Sequence, residues 1–508
     1  MKTASEIVSG TYYDSMQLMR VVSDVQASTP VADADAVMGT AANLDRLENG
    51  DTIDPAELDG VEPDDLVLVA RAPDAADAEA AVEAMRAALA TGTDSDRAAA
   101  EQQVPPKSIS GVCKAAPETD IALISVPGEY AGLEAWNALH EDLHVHLFSD
   151  NVPVDTEQAL KQFAHDTGQL LMGPDCGTAI VDGLPLGFAN EVPIGSIGLV
   201  AASGTGLQAV TSRLGRRGVG ISQAIGTGGR DLSNEVEGLG TRTALAKLDD
   251  DDDATDVIVL LSKAPDGAAV RAVSEMISDC STPMVVHFQG AESAPEGVAT
   301  ADTLAATADR AIEVAEVDAE PLSADTETTL DLEQSGWIRG LFTGGTLCAE
   351  AARLAAREHS RIRSNVGVGE EIDSSESPAA HTFVDFGADQ FTEGRPHPMI
   401  DPTIRNERLE AVLTAPDTGA VLLDVVLGYG SHEDPAGTVA DVVATTDSDV
   451  PVVASVCGTD ADVQPRHEQV AKLEAAGVHV TQSNAAAARL VSRQPALHGP
   501  DRVEGGSA

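Results

Sequence analysis

Aromatic rings are nearly missing from this chain. Two tryptophans, four tyrosines and eight phenylalanines make up 3% of 508 residues, so its cores must be built from alanine, valine, leucine and isoleucine. Basic charge is also scarce: 31 Lys and Arg stand against 83 Asp and Glu, a net charge of −52. Only seven residues are lysine (Lys2, Lys107, Lys114, Lys161, Lys247, Lys263 and Lys472). Such a charge argues against nucleic acid and anionic membranes as partners. The acid is spread along the whole chain and apolar periodicity persists beside it, which excludes disorder as its explanation. It reads as the hydrated acidic surface of a protein from a halophilic cytosol. Five scattered cysteines (Cys113, Cys176, Cys280, Cys348 and Cys457) form no CxxC pair, so neither a disulfide framework nor a thiolate metal site is expected. No apolar run is long enough to span a bilayer and the first residues lack a signal-peptide core. A soluble cytoplasmic protein without a metal is the expectation.

What the chain does have is strand–helix alternation. Residues 1–92 read as a small ferredoxin-like or ACT-like α+β domain: strand Ile7 to Tyr13, helix Asp14 to Val25, strand Ala32 to Met38, strand Asp65 to Arg71 and helix Ala75 to Ala90. A polar linker, Thr91 to Pro106, follows. Residues 107–190, 191–315 and 335–495 then each repeat buried strands such as Ile197 to Ala201, Asp256 to Leu261, Ala420 to Val426 and Pro451 to Val456, every one followed by a glycine turn or a helix. The spacing predicts several doubly wound parallel-sheet (Rossmann-like or flavodoxin-like) α/β domains. Five consecutive aspartates, Asp249 to Asp253, read as a solvated loop.

Three stretches carry candidate chemistry. Ser203-Gly204-Thr205-Gly206 lies between a buried strand and an amphipathic helix, where backbone N–H groups and a helix N-terminus converge on an anion. Gly226-Thr-Gly228-Gly229-Arg230-Asp231 is a second glycine turn, with a guanidinium, and Gly344-Gly345-Thr346 repeats the arrangement near the C-terminus. A phosphate, carboxylate or acyl phosphate would suit them; the alternative is that they are only tight βα turns. The polar segment Asp385 to Arg405 holds Arg395, His397 and Asp401 between prolines, which fits an anion clamp with a proton-moving imidazole. Its alternative is an ordinary surface loop.

These motifs, together with Ser125-Val-Pro-Gly128, Leu147-Phe-Ser-Asp-Asn151, Gly173-Pro-Asp-Cys-Gly177, Gly10-Thr-Tyr-Tyr-Asp-Ser15 and Gly394-Arg-Pro-His-Pro-Met-Ile-Asp401, resemble the FdrA family over nearly the whole chain. FdrA proteins are similar to the α- and β-subunits of succinyl-CoA synthetase and are linked to oxamate carbamoyltransferase. The resemblance implies a subunit of a hetero-oligomer that handles small anions: carbamoyl phosphate, phosphate and oxamate, or acyl-CoA. It implies phosphate cradling by Ser203 to Gly206 and Gly344 to Thr346. Arg230 and Arg395 would then hold anions, His397 would shuttle a proton and Asp401 would orient it. Two departures weigh on the ligase side. The region matching the CoA domain, Lys107 to Thr119, has Gly111 alone, and the stretch Gln289 to Thr300 lacks the phosphate-carrying histidine of those ligases. No cofactor is therefore required by the sequence, and CoA stands only as the alternative that the resemblance leaves open. A nucleotide-dependent acyl-CoA ligase or a non-catalytic regulatory subunit are the other readings. His287, inside a strand, reads as a core residue.

Overall fold

The computed structural model describes the chain except residues 11–12, 14–17, 19–20, 23–24, 27, 42, 45–46, 48–52, 54–56, 59, 101–105, 251–253, 264–266, 292–294, 296, 323–334, 373–378, 495–496 and 498–508. Most of the Gly10 to Ser15 motif, most of the Asp14 to Val25 helix and three of the five aspartates thus lie outside the described residues. The chain forms two compact units, Met1–Ser108 and Ile109–Ala508.

In the first unit the strand Leu66–Ala72 is central, flanked antiparallel by Lys2–Val8 and Asp33–Met38. Alternate side chains of a strand leave opposite faces. Leu66, Leu68 and Ala70 accordingly pack with Ala81, Val82, Met85 and Leu89 of the helix Ala75–Ala100, while Val67 and Val69 pack with Leu47, Ile53 and Leu58. Burial on both faces is why this strand reads as an unbroken apolar run. Two expectations shift. The first strand begins at Lys2, not Ile7, because it is a half-exposed edge strand without the alternation that would reveal it. The helix also continues to Ala100, through the stretch expected to be a linker from Thr91.

The second unit opens with a three-stranded parallel sheet, Ile121–Ile124, His144–Leu147 and Leu171–Met172. A seven-stranded sheet follows in the order Ala299–Thr300, Met284–Gln289, Val257–Lys263, Ile194–Ala201, Ile221–Gly226, Thr178–Val181, Leu184–Gly187. Its first five strands are parallel and its last two form an antiparallel hairpin. That hairpin, counted on sequence with the preceding domain, belongs to this sheet. A second seven-stranded sheet, all parallel, runs Glu370–Glu371, Ile362–Ser364, His381–Asp385, Trp337–Phe342, Thr418–Val426, Val452–Cys457, His479–Thr481. The doubly wound α/β fold expected from the strand–helix spacing is thus present.

Winding reverses in each large sheet at one strand. Ile194–Ala201 is bracketed by Ile221–Gly226 and Val257–Lys263, and Trp337–Phe342 by His381–Asp385 and Thr418–Val426. Ligands in such sheets bind at the carboxyl end of the reversal strand, and the turns Ser203–Gly206 and Gly344–Thr346 follow those two strands directly. A single apolar core runs from Ile180 through Ala201, Leu347 and Phe383 to Leu497, so the two sheets are welded together. At their seam Asn190 Nδ2 donates to Leu427 O (3.0 Å) and to Asp462 Oδ2 (2.9 Å).

The smaller sheet is tied on by charge. Lys161 of the helix Val154–Thr167 is fully buried, and its Nζ donates to Glu157 (2.8 Å), Asp231 (2.7 Å) and the Thr227 carbonyl (2.9 Å). Asp231 in turn accepts from the Gly240 and Thr241 N–H groups and from the Thr241 hydroxyl. Breaking a buried pair leaves an uncompensated charge and costs about 3–5 kcal/mol. Lys161→Met, which keeps the volume, is expected to lose stability of that order in urea unfolding; a change within experimental error would show that the network is not what joins these elements.

Candidate active site

The two large sheets bring their glycine turns face to face. Ser203 caps the helix Gly204–Arg216 by accepting from the Gly206 N–H, and its hydroxyl lies 2.5 Å from the Thr346 hydroxyl at the start of the helix Gly345–Ala356. Thr205 lies against Gly344: a Cβ there would sit 2.8 Å from Thr205 Cγ2, so glycine is what lets the two helix starts touch. Two positive helix ends held together favour an anion between or beside them. The turn is braced from beneath by buried Asp424, which accepts from the Thr343 N–H (2.8 Å) and the Gly344 N–H (2.9 Å). Burial pushes its carboxyl above the usual range, opposed by those N–H groups and by Arg405.

Around the junction stand ionisable groups with altered affinities for protons. Asp385, at the end of its strand, has Oδ2 2.7 Å from where a Gly345 Cβ would be, and its Oδ1 accepts from the Gly387 N–H (2.9 Å). Asn365 holds its backbone on both sides, N–H and carbonyl. Burial, with repulsion from Asp424 and Asp389, pushes the Asp385 carboxyl up to about 7. Asp175, of Gly173-Pro-Asp-Cys-Gly177, is pushed up to about 6 by burial and by Asp150 and Asp389. Lys263 and Arg230 pull the other way at Asp175, and Lys263 does so at Asp385 too. Lys263 thus acts electrostatically on both.

The polar segment contributes one residue to this place. The His397 ring lies over Gly387, its Nε2 2.6 Å from where a Cβ would be, and it packs on Phe188 with centroids 5.5 Å apart. Its Nδ1 accepts from the Met399 N–H (3.2 Å), which leaves the neutral ring its proton on Nε2. Burial alone lowers its proton affinity to about 4, so at neutral pH it is an uncharged donor. Asp401 does not orient it: the carboxylate accepts from the Thr403 N–H and hydroxyl, at the start of the helix Thr403–Leu413. Arg395 is exposed, with no side-chain partner among the described residues. Arg230 is not a free anion holder either. Its guanidinium donates to the Val152 carbonyl (2.7 Å) and pairs with Glu157 (2.9 Å). Gly228, with φ of 86°, is glycine because a Cβ would meet the Pro174 carbonyl at 2.2 Å; it packs the turn against Gly173-Pro174, which is a cis peptide. Gly229 is exposed beside Asp175. Cys176 is a buried thiol whose Sγ faces the Thr178 and Gly226 carbonyls, and burial raises it to about 12, so it is no nucleophile.

Sequence reasoning passed over Asp385, Asp175 and Lys263. The signals were present: an acid or lysine at the carboxyl end of a buried strand, and a lysine in a chain with only seven. What could not be seen was that Lys263, on a separate strand, acts electrostatically on both carboxyls.

Comparison with known proteins places the chain in a family. The chain is 38% identical to the protein YahF of Escherichia coli (strain K12) over 499 residues, covering 94% of this chain and 96% of that protein. It belongs to the YahF family. Residues 341–493 match the family model described as CoA-ligase, and residues 1–106 match the model for the AllF heavy metal-associated domain. This YahF-family chain is also 29% identical to the succinate–CoA ligase [ADP-forming] α-subunit of Methanothermobacter thermautotrophicus over 184 residues, 35% of this chain and 60% of that subunit. Among solved structures, the dinucleotide-forming acetyl-coenzyme A synthetase 1 of Ca. Korarchaeum cryptofilum aligns with a TM-score of 0.33 at 16% identity, covering 77% of this chain and 85% of that one. Residues 341–493 are thus CoA-ligase-like and residues 1–106 are AllF-like. Residues 1–106 contain no cysteine and no histidine, so they offer a heavy metal neither thiolate nor imidazole. Among the described residues no helix is long and apolar enough to cross a membrane.

The Asp385 carboxyl has a testable pH signature. Its proton is held more tightly folded, at about 7, than at the ordinary 3.8. The stability this confers is complete below about 4 and lost as pH rises through 7. Asp385→Asn removes that dependence, so the variant should gain on the wild type by up to about 1.4 kcal/mol per pH unit across this window. Urea unfolding at pH 5 and 7.5 reads it; parallel profiles would mean that Asp385 ionises normally.

Proposed function

We propose that this chain is a subunit of a group-transfer enzyme acting on an acyl phosphate, with carbamoyl transfer as the reaction: oxalurate plus phosphate to oxamate plus carbamoyl phosphate. The observation carrying the proposal is the contact between two helix N-termini through Ser203 and Thr346. Such an end presents unpaired N–H groups and positive potential to a phosphate without any nucleotide or metal. The AllF-type N-terminal domain and the FdrA-like motifs support the carbamoyl assignment.

In this reaction a phosphate oxygen attacks the carbamoyl carbon of oxalurate. The C–N bond to oxamate breaks, and the departing nitrogen gains the proton that phosphate loses. The two turns hold the phosphate. The Nε2–H of His397 donates to the developing oxyanion. A group that exchanges protons near neutrality is best suited to carry the proton, so that task moves from His397, held near 4, to Asp385, held near 7. Arg395, exposed and unpaired among the described residues, grips the oxalurate carboxylate. Other subunits complete the enzyme. A thioester-forming ligase is the second reading, favoured by the CoA-ligase match over residues 341–493.

Calorimetric titration in molar potassium salt separates the two. Carbamoyl phosphate should bind saturably, and Gly344→Val, which drives a side chain into Thr205, should weaken it at least tenfold. Arg395→Ala should slow oxalurate phosphorolysis at least tenfold when partner subunits are supplied. Saturable CoA binding with no response to carbamoyl phosphate would put the ligase reading first.

A further inference from the structure

A cavity beside the facing turns is lined by none of residues 203–206 or 344–346. It measures about 260 Å³ and is bounded by the end of the strand Met284–Gln289, by residues 300–302 and by the C-terminal half of the helix Gly345–Ala356. That is several times the roughly 30 Å³ share of one liquid water. Its wall carries His287, Arg353 and Arg357 together with the carboxylates Asp302 and Glu350.

His287 is 4% exposed, as its strand position implied, but it is not an inert core residue. Its Nδ1 lies 2.8 Å from the Ala301 carbonyl, which only accepts, so the ring proton is on Nδ1. Nε2 is left as a buried acceptor with no donor among the described residues. Arg353 is in the same position with opposite sign. Its guanidinium lies across Gly290, its Nε is buried without a partner among the described residues, and no carboxylate offsets the burial that lowers its proton affinity. Buried polar groups are paired in folded proteins, and exceptions need a reason. Glu350, on the same wall, accepts from the Leu304 N–H and from Asn484 Nδ2 and bonds to neither His287 Nε2 nor Arg353 Nε among the described residues.

We propose that this cavity is a second anion site, built for a hydrogen-phosphate group. Such a group offers both halves of what is missing: anionic oxygens for Arg353 and Arg357, and a P–OH donor for His287 Nε2. The cavity also abuts the facing turns, because Gln289, on its wall, donates from Nε2 to the Thr346 carbonyl (3.0 Å). The site stands whether or not the turns transfer a carbamoyl group.

The test is calorimetry of the full chain with inorganic phosphate and, separately, sulfate, which has no proton to donate at neutral pH. Phosphate should bind at least tenfold more tightly than sulfate at this site. His287→Leu and Arg353→Gln should each weaken phosphate at least tenfold, while Ser203→Ala, which alters the turns, leaves this component unchanged. Arg353→Lys should restore part of the loss, which separates lost charge from lost folding. Undiminished phosphate binding in folded His287→Leu and Arg353→Gln, or equal binding of sulfate and phosphate, would overturn the proposal. Loss of phosphate binding only in Ser203→Ala would leave the turns as the sole site and overturn it as well.

Discussion

Two helix ends of the same sign are held in contact, and much of the second unit serves to hold them there. Without an anion, the starts of Gly204–Arg216 and Gly345–Ala356 repel each other. The contact through Ser203 and Thr346 survives because the two sheets share one apolar core and are pinned at their seam by Asn190 and Asp462. Buried Asp424 supplies compensating charge beneath the second turn. Stability stored in the core thus maintains an electrostatic arrangement that the turns alone could not sustain.

Buried charges in this unit divide into two kinds by how well they are satisfied. The Lys161 cluster is complete: the lysine has three acceptors and Asp231 three further donors, so it reads as structure. Asp385 and Asp175 are underprovided, with burial and like charge dominating over donors, and their proton affinities move toward neutrality. That incompleteness is costly to folding and is what a site that moves protons requires. His287 and Arg353 share the incompleteness, in the cavity beside the turns.

The parallel sheets were legible because strands buried on both faces, such as Ile194–Ala201 and Thr418–Val426, are unbroken apolar runs followed by glycine. Edge elements were not. Lys2–Val8 is half exposed, and the hairpin Thr178–Gly187 is short and mixed in character, so neither has a strong period. The glycine turns were found for the right local reason, as strand-to-helix junctions. The arginine of the second turn misled: Arg230 looks like an anion holder until Glu157, seventy-odd residues earlier, proves to be its partner. Asp401 misled similarly, since its nearest donors are two residues away in Thr403 rather than in His397.

The sequence by itself determined the buried elements and their local chemistry: which apolar runs are central strands, where glycine opens a helix N-terminus, and that no thiol or imidazole occurs before residue 107. Hydrophobic period and turn chemistry are short-range properties, readable within a dozen residues. Only the tertiary structure decided which turns meet. Ser203 and Thr346 are 143 residues apart, and their contact follows from two sheets packing around one core. It alone decided that Asp385 exchanges protons near neutrality while His397 does not, because burial and the distance to other charges set those affinities, and neither is a property of the residue or its neighbours in the chain.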